Sequence, residues 1–234
     1  MPLVSLFSRS QSRWVRKPLA GYNTCMHTER FSASTLRRIP AGGAIGRILA
    51  AAIAAVEPGA ALRQVVSHRG NQLSIAGRTY ELEHFDHIYL AALGKAALPM
   101  AEALAALLGA QMTAGLAITK HAAPIADPRL VVLEGDHPVP GPRSLQAGER
   151  LLEFVSQARP NDLVFCLISG GGSALVTAPH PGLTLDDLQQ LTRLLLVCGA
   201  SITEINTLRR RLDRVKGGGL AKRAAPALVV SLVL

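Results

Sequence analysis

The chain is poor in aromatics, acids and cysteine, and each shortage removes a class of protein. Phe, Trp and Tyr make up 4% of its 234 residues, too few for a row of base-stacking platforms, which argues against a reader of single-stranded nucleic acid. Only 16 acids stand against 25 Lys and Arg, a formal net charge of +9. Such a surplus attracts anions. Four of the cations, Arg9, Arg13, Arg16 and Lys17, crowd the acid-free first 25 positions, and the densest later cluster lies at residues 209–216. A small anionic molecule fits this distribution better than nucleic acid or an acidic membrane. Cys25, Cys166 and Cys198 are scattered without a CxxC pair, which argues for a reducing compartment. No uninterrupted apolar run approaches the roughly 18 residues of a spanning helix. The Ala-rich stretch 44–56 is short, carries Arg47 and reads as a buried helix. What is plentiful is ordinary core material: 49% hydrophobic against 18% charged residues, the balance of a folded globular chain.

Residues 1–25 are Arg- and Ser-rich and hold no acid, the profile of an organellar transit peptide; the competing and preferred reading makes Met26 the true start and the leader upstream sequence. Either way the leader is set aside from the fold, and localisation is expected to be cytoplasmic, or mitochondrial if the leader is real. Short strands are expected at 63–68, 72–76 and 79–82, forming an edge meander around turn signals at Gly70 and Gly77. A strand–turn–helix unit follows at 87–93 and 95–108 and recurs: strands at 115–119, 130–133 and 162–168, a helix at 144–156, then helices at 184–197 and 203–214 and a last strand at 227–234. Continuous apolar strands suit a parallel sheet covered on both faces. The expected fold is therefore α/β, a doubly wound Rossmann-like sandwich with a mostly parallel sheet, incomplete where the chain stops in a buried-type strand.

Four segments could carry chemistry. Ser169-Gly170-Gly171-Gly172-Ser173 directly follows a strand, where glycines let several N–H groups face one anion; a plain mobile turn is the alternative. It is neither a P-loop nor a GxGxxG dinucleotide loop. Lys95, after another strand, either supplies charge to a transferring phosphoryl group or is a solvated helix-start lysine, although a helix N-terminus prefers anions. Arg209 and Lys216 lie on or beside a basic helix, where an Arg209–Asp213 ion pair and a Lys-Gly-Gly helix end would explain them structurally, with an anion contact as the other reading. His137, in a loop with Pro138 and Pro140, either orients substrate hydroxyls or belongs to a rigid turn. Three of the four segments would share one rim of a parallel sheet, where such folds bind ligands.

LGKAA (93–97), EGDHPVPG (134–141), LISGGGSAL (167–175), LTRLLLVCGASITEINTLRRRLDRVKGGGLA (191–221) and VVSLVL (229–234) together resemble the type-2 glycerate kinase family, whose second domain is often called MOFRL. The resemblance runs from about residue 26 to 234, so residues 26–234 are expected to be a partial N-terminal α/β domain with the second domain absent. It implies ATP-dependent phosphorylation of glycerate to 2-phosphoglycerate with Mg²⁺, in a cleft between two domains, by a longer chain than this one. It also implies Lys95 as the catalytic lysine, Ser169, Gly170, Gly171, Gly172 and Ser173 as the anion loop, and Arg209 with Lys216 near substrate or phosphate. His137 lies on the rim; general base and metal ligands stay unassigned. The expected partners are glycerate and ATP, with neither nucleic acid nor membrane, and a homodimer stays open. This sequence departs from the family's GHPVPD motif, with Asp136 where Gly is usual and Gly141 where Asp is usual, and has Arg210, Arg211 and Asp213 where Lys, His and Ser are often found. Two other readings stand beside the kinase: a hydroxypyruvate reductase-type oxidoreductase, opposed by the missing GxGxxG, and a non-catalytic fragment that binds a phosphate-bearing ligand.

Overall fold

A computed structural model of the protein describes residues 3–5 and 34–234. Apart from 3–5, the leader, including Cys25, lies outside the described residues. The elements in order are β1 (Leu3–Ser5), α1 (Ser34–Arg37), α2 (Gly42–Ala55), α3 (Pro58–Val65), β2 (Val66–Arg69), β3 (Gln72–Ile75), β4 (Arg78–Glu81), β5 (Ile88–Leu93), α4 (Ala97–Leu108), β6 (Ala114–Thr119), β7 (Leu130–Glu134), α5 (Pro142–Val155), β8 (Leu163–Ile168), α6 (Gly172–Leu175), α7 (Leu185–Val197), α8 (Ile202–Leu212), α9 (Gly219–Ala224) and β9 (Leu228–Val233). Short 3-10 turns at Leu82–His84 and Gly109–Gln111 connect them.

Five parallel strands run in the order β9-β8-β5-β6-β7. Successive side chains of a strand point to opposite faces, so each central strand feeds two cores. Leu90, Ala92, Phe165 and Leu167 join α3 and α4 on one face. Ala91, Leu93, Val164 and Cys166 join α5 and α9 on the other. Helices on both faces of a parallel sheet make the fold the doubly wound α/β sandwich expected from the apolar strands. Three residues of the leader also enter the sheet: β1 pairs parallel with Ser231–Val233 of β9, taking up the open hydrogen-bonding edge of that strand.

Several local expectations change. The strand expected at 63–68 begins only at Val66, because Glu57 caps a helix at 58–65: its carboxylate accepts the N–H groups of Gly59 at 2.8 Å and Ala60 at 2.6 Å, with Pro58 opening the first turn. Strands β2, β3 and β4 form their own antiparallel sheet rather than an edge of the main one. Helix α2 is mostly exposed, not buried. Only Gly42, Gly46 and Ala50 are covered, while Ile48 and Ile53 stand 67% and 57% exposed; apolar composition reports how much could be buried, not which neighbour is available. The helix expected at 95–108 starts at Ala97, which leaves Lys95 in the turn. The one expected at 203–214 ends at Leu212. Beyond it Asp213 is extended and bridges to Pro179, and Gly217 and Gly218 lead into α9 instead of closing α8.

Candidate active site

The tips of β5 and β8 are locked together, and the lock explains the glycine before Lys95. Gly94 has φ +122°, and a β-carbon on it would lie 2.2 Å from Ser169 Oγ and 2.4 Å from the Ser169 carbonyl oxygen. No other residue fits. Across this contact the Lys95 N–H donates to the Gly170 carbonyl at 2.8 Å, and the Ala96 N–H donates to Ser169 Oγ at 3.0 Å. Ser169, 7% exposed, is thereby a brace between two loops, its hydroxyl engaged by the protein itself.

The next residues are left to donate. Gly171 turns with φ +88° into the short helix α6, and among the described residues no acceptor takes the N–H groups of Gly170, Gly171 or Ser173. Donors gathered at such a turn form a concavity that favours an anion. The space above Gly171 is bounded by Lys95 Cγ at 3.1 Å and His137 Cδ2 at 3.3 Å from where a β-carbon would stand. Thus the structure brings Lys95, His137 and the Gly-rich loop to one point on the sheet rim. Neither the Lys95 ammonium nor the His137 ring has a partner among the described residues. Burial, then the charges of Lys95 and Lys120, push the His137 pKa below its ordinary 6.5, which favours the neutral ring, whose one unprotonated nitrogen is an acceptor. Lys120, one residue beyond β6, was missed in reading the sequence; it occupies the same kind of strand-end position that singled out Lys95.

Arg209 and Lys216 approach from the other side. Together with Ile168, Gly171, Ser173 and Leu220 they line a cleft of about 650 Å³, which Lys95 and His137 do not border. Gly171 belongs to both groups. The expected Arg209–Asp213 pair does not form, since Asp213 lies past the end of α8. Arg209 on α8 donates instead to Thr192 Oγ1 on α7 at 3.2 Å, and partial burial lowers its pKa. Lys216 is less available. Its ammonium donates to the Val176 carbonyl at 2.9 Å and to the Asp213 carboxylate, and burial, opposed by Asp213 and reinforced by Arg209, lowers its pKa.

Residues 44–234 match the model of a domain of unknown function (DUF4147). The chain belongs to this family. Among curated relatives, the DUF4147 chain is 38% identical over 187 residues to a glycerate 2-kinase of Pyrococcus horikoshii, covering 80% of this chain and 42% of that protein. It is 45% identical over 154 residues to a D-glycerate 2-kinase of Thermotoga maritima, covering 64% and 36%. A crystal structure of a Pyrococcus horikoshii protein superposes with a TM-score of 0.71 at 38% identity, over 80% of this chain and 41% of that one. The kinship with glycerate kinases read from the five sequence segments therefore holds. The chain spans about two fifths of the length of these curated relatives.

Proposed function

We propose that this domain supplies the phosphate-handling part of an ATP-dependent glycerate kinase that forms 2-phosphoglycerate. The observation that carries the reading is the convergence of the Lys95 side chain, the His137 ring and the Gly171 turn, with three N–H groups that find no acceptor among the described residues. In such a reaction the substrate's C2 hydroxyl oxygen bonds to the terminal phosphorus, the hydroxyl proton departs, and the bond to the bridging oxygen breaks with its electrons leaving on ADP. Charge accumulates on the phosphoryl oxygens, so fixed donors and cations are what the protein can contribute. The loop from Ser169 to Ser173 cradles the phosphoryl group, through its free N–H groups and the Ser173 hydroxyl, and Lys95 neutralises it. His137 orients the acceptor hydroxyl from the rim. Arg209 reaches phosphate across the cleft, and Lys216 holds the cleft wall.

The Mg²⁺ that the resemblance implies does not fit a resident site here: among the described residues no cluster of three metal-ligating side chains occurs, and the rim around Gly171 is cationic. The ion would have to come with the nucleotide.

The test is ADP release from Mg-ATP with and without glycerate, with phosphorus NMR of the product. It should be run on this chain and on this chain joined to the remaining length of the Thermotoga maritima relative. Glycerate-dependent ADP and 2-phosphoglycerate from the joined protein are expected. NADH or NADPH oxidation with hydroxypyruvate and no ADP would replace the kinase with the reductase. A rise in unfolding temperature with Mg-ATP but no turnover in either protein would leave a binding fragment.

A further inference from the structure

Three neighbouring strand tips place a second lysine at this site. Strands β5 and β6 run parallel with Leu93 opposite Ile118, so Lys95 and Lys120 each stand two residues beyond the same matched pair. On the far side of β6, Thr119 is opposite Glu134, and the Gly135 N–H donates to the Thr119 carbonyl at 3.0 Å, which carries the chain on to His137 beside them. Lys120 is exposed, and among the described residues its ammonium makes no hydrogen bond or ion pair.

The surrounding charges leave Lys120 available. The two carboxylates of the β7 tip are already occupied: Arg143 donates to Glu134 at 2.9 Å and to Asp136 at 2.7 Å. The Gly-rich loop carries no charged side chain. What faces His137 is thus Lys95 from the β5 turn and Lys120 from the β6 turn, with the adjoining acids neutralised. Of the two cations that act on His137, Lys95 is the one that lies against the Gly171 turn and its anion donors, which leaves Lys120 for a second anionic group. A hydroxy acid brings the second anion.

We propose that Lys120 is the carboxylate anchor of the acid substrate, holding a small 2-hydroxy acid so that its hydroxyl lies at His137 and points toward the Gly171 turn. The inference rests on the kinase reading of the same rim, and it makes Lys120 a specificity-determining residue for the acid.

The experiment is an NMR titration of this chain, following the His137 ring signals, assigned with H137Q, and the Gly170 and Gly171 amides. D-glycerate alone and inorganic phosphate alone are the two probes. Glycerate is expected to shift the His137 signals and raise its titration midpoint, because a bound carboxylate offsets the two lysines. In K120M the glycerate affinity should fall roughly tenfold or more, the scale of one charge-assisted hydrogen bond, while K120R retains most of it and phosphate still shifts the loop amides. Equal glycerate binding in wild type and K120M, or no response of His137 to glycerate, overturns the anchor and leaves the phosphate loop standing. Loop amides that ignore phosphate and Mg-ATP overturn the kinase reading instead.

Discussion

The Asp136 carboxylate occupies the space over Gly141: a β-carbon on Gly141 would lie 2.4 Å from Asp136 Oδ2. That same oxygen accepts the Arg143 N–H, in the first turn of α5, at 2.9 Å. Gly141 is the residue that precedes α5, where a capping side chain usually sits. The GHPVPD motif of the resemblance would put Gly at 136 and Asp at 141; this chain has the reverse, and its carboxylate reaches the helix start from 136. Two departures that look independent in the sequence are one exchange.

The exchange predicts strong coupling. D136G should cost about 1 kcal/mol, the scale of a lost cap, and G141D alone should be worse tolerated because Asp136 fills its space. The double swap D136G/G141D should recover most of the loss. Urea unfolding of the four proteins measures the coupling; additive single effects would mean that Asp136 does not act as the cap.

Asp213 ties the cleft wall together. It is 3% exposed, accepts the Thr177 hydroxyl at 2.6 Å and the Val215 N–H at 2.9 Å, and pairs with Lys216. Removing it leaves the largely buried Lys216 ammonium without its counter-charge, held by the Val176 carbonyl alone, and the buried Thr177 hydroxyl without its acceptor. D213A should therefore destabilise by about 3–5 kcal/mol, and T177V by only about 1 kcal/mol. Denaturant melts of both variants check the ranking; a D213A loss no larger than that of T177V would make the pair dispensable.

How much of this was legible depended on the length scale of the signal. Strand β8 and its Ser-Gly-Gly-Gly sequel are readable because a six-residue apolar run and a Gly turn are both local patterns. The site at Gly171 was only half visible: strand-end positions suggested that Lys95 and the Gly-rich loop share a rim, but strand order is not written in any one segment, so Lys120 on the neighbouring strand went unnoticed. Asp213 misled for the same reason. Its spacing from Arg209 suits a helical pair, but Thr177, Val215 and Lys216, the first 36 residues away, hold it in extended backbone after the helix has ended. Glu57 drew no notice in the sequence, yet its carboxylate caps the helix 58–65 that displaces the start of the strand expected from 63.

The two glycines that look alike in the sequence should respond differently. Gly94 combines a positive φ with a backbone collision against Ser169, whereas Gly170 has open space where its β-carbon would be. G94A should destabilise by more than about 2 kcal/mol and pull the Lys95 N–H away from the Gly170 carbonyl. G170A should fold normally, so that any loss of anion binding reports the loop's local freedom rather than its collapse. Thermal unfolding with and without phosphate separates the two; equal stability of G94A and wild type would dissolve the β5–β8 lock.

Lys95 has two measurable consequences because it acts on both its neighbours. Its charge helps hold the His137 pKa below 6.5, after burial and together with Lys120. K95M removes one of these causes, so the His137 midpoint should rise toward 6.5 without passing it, while the stability of the exposed turn changes little. In the joined protein the same variant should lose about 10²-fold in turnover, as expected when a charge that stabilises the transition state is removed. Ring NMR reads the first effect and ADP release the second. A shifted His137 with undiminished turnover would keep Lys95 on the rim but take it out of the chemistry, and an unmoved His137 would contradict the geometry at Gly171 itself.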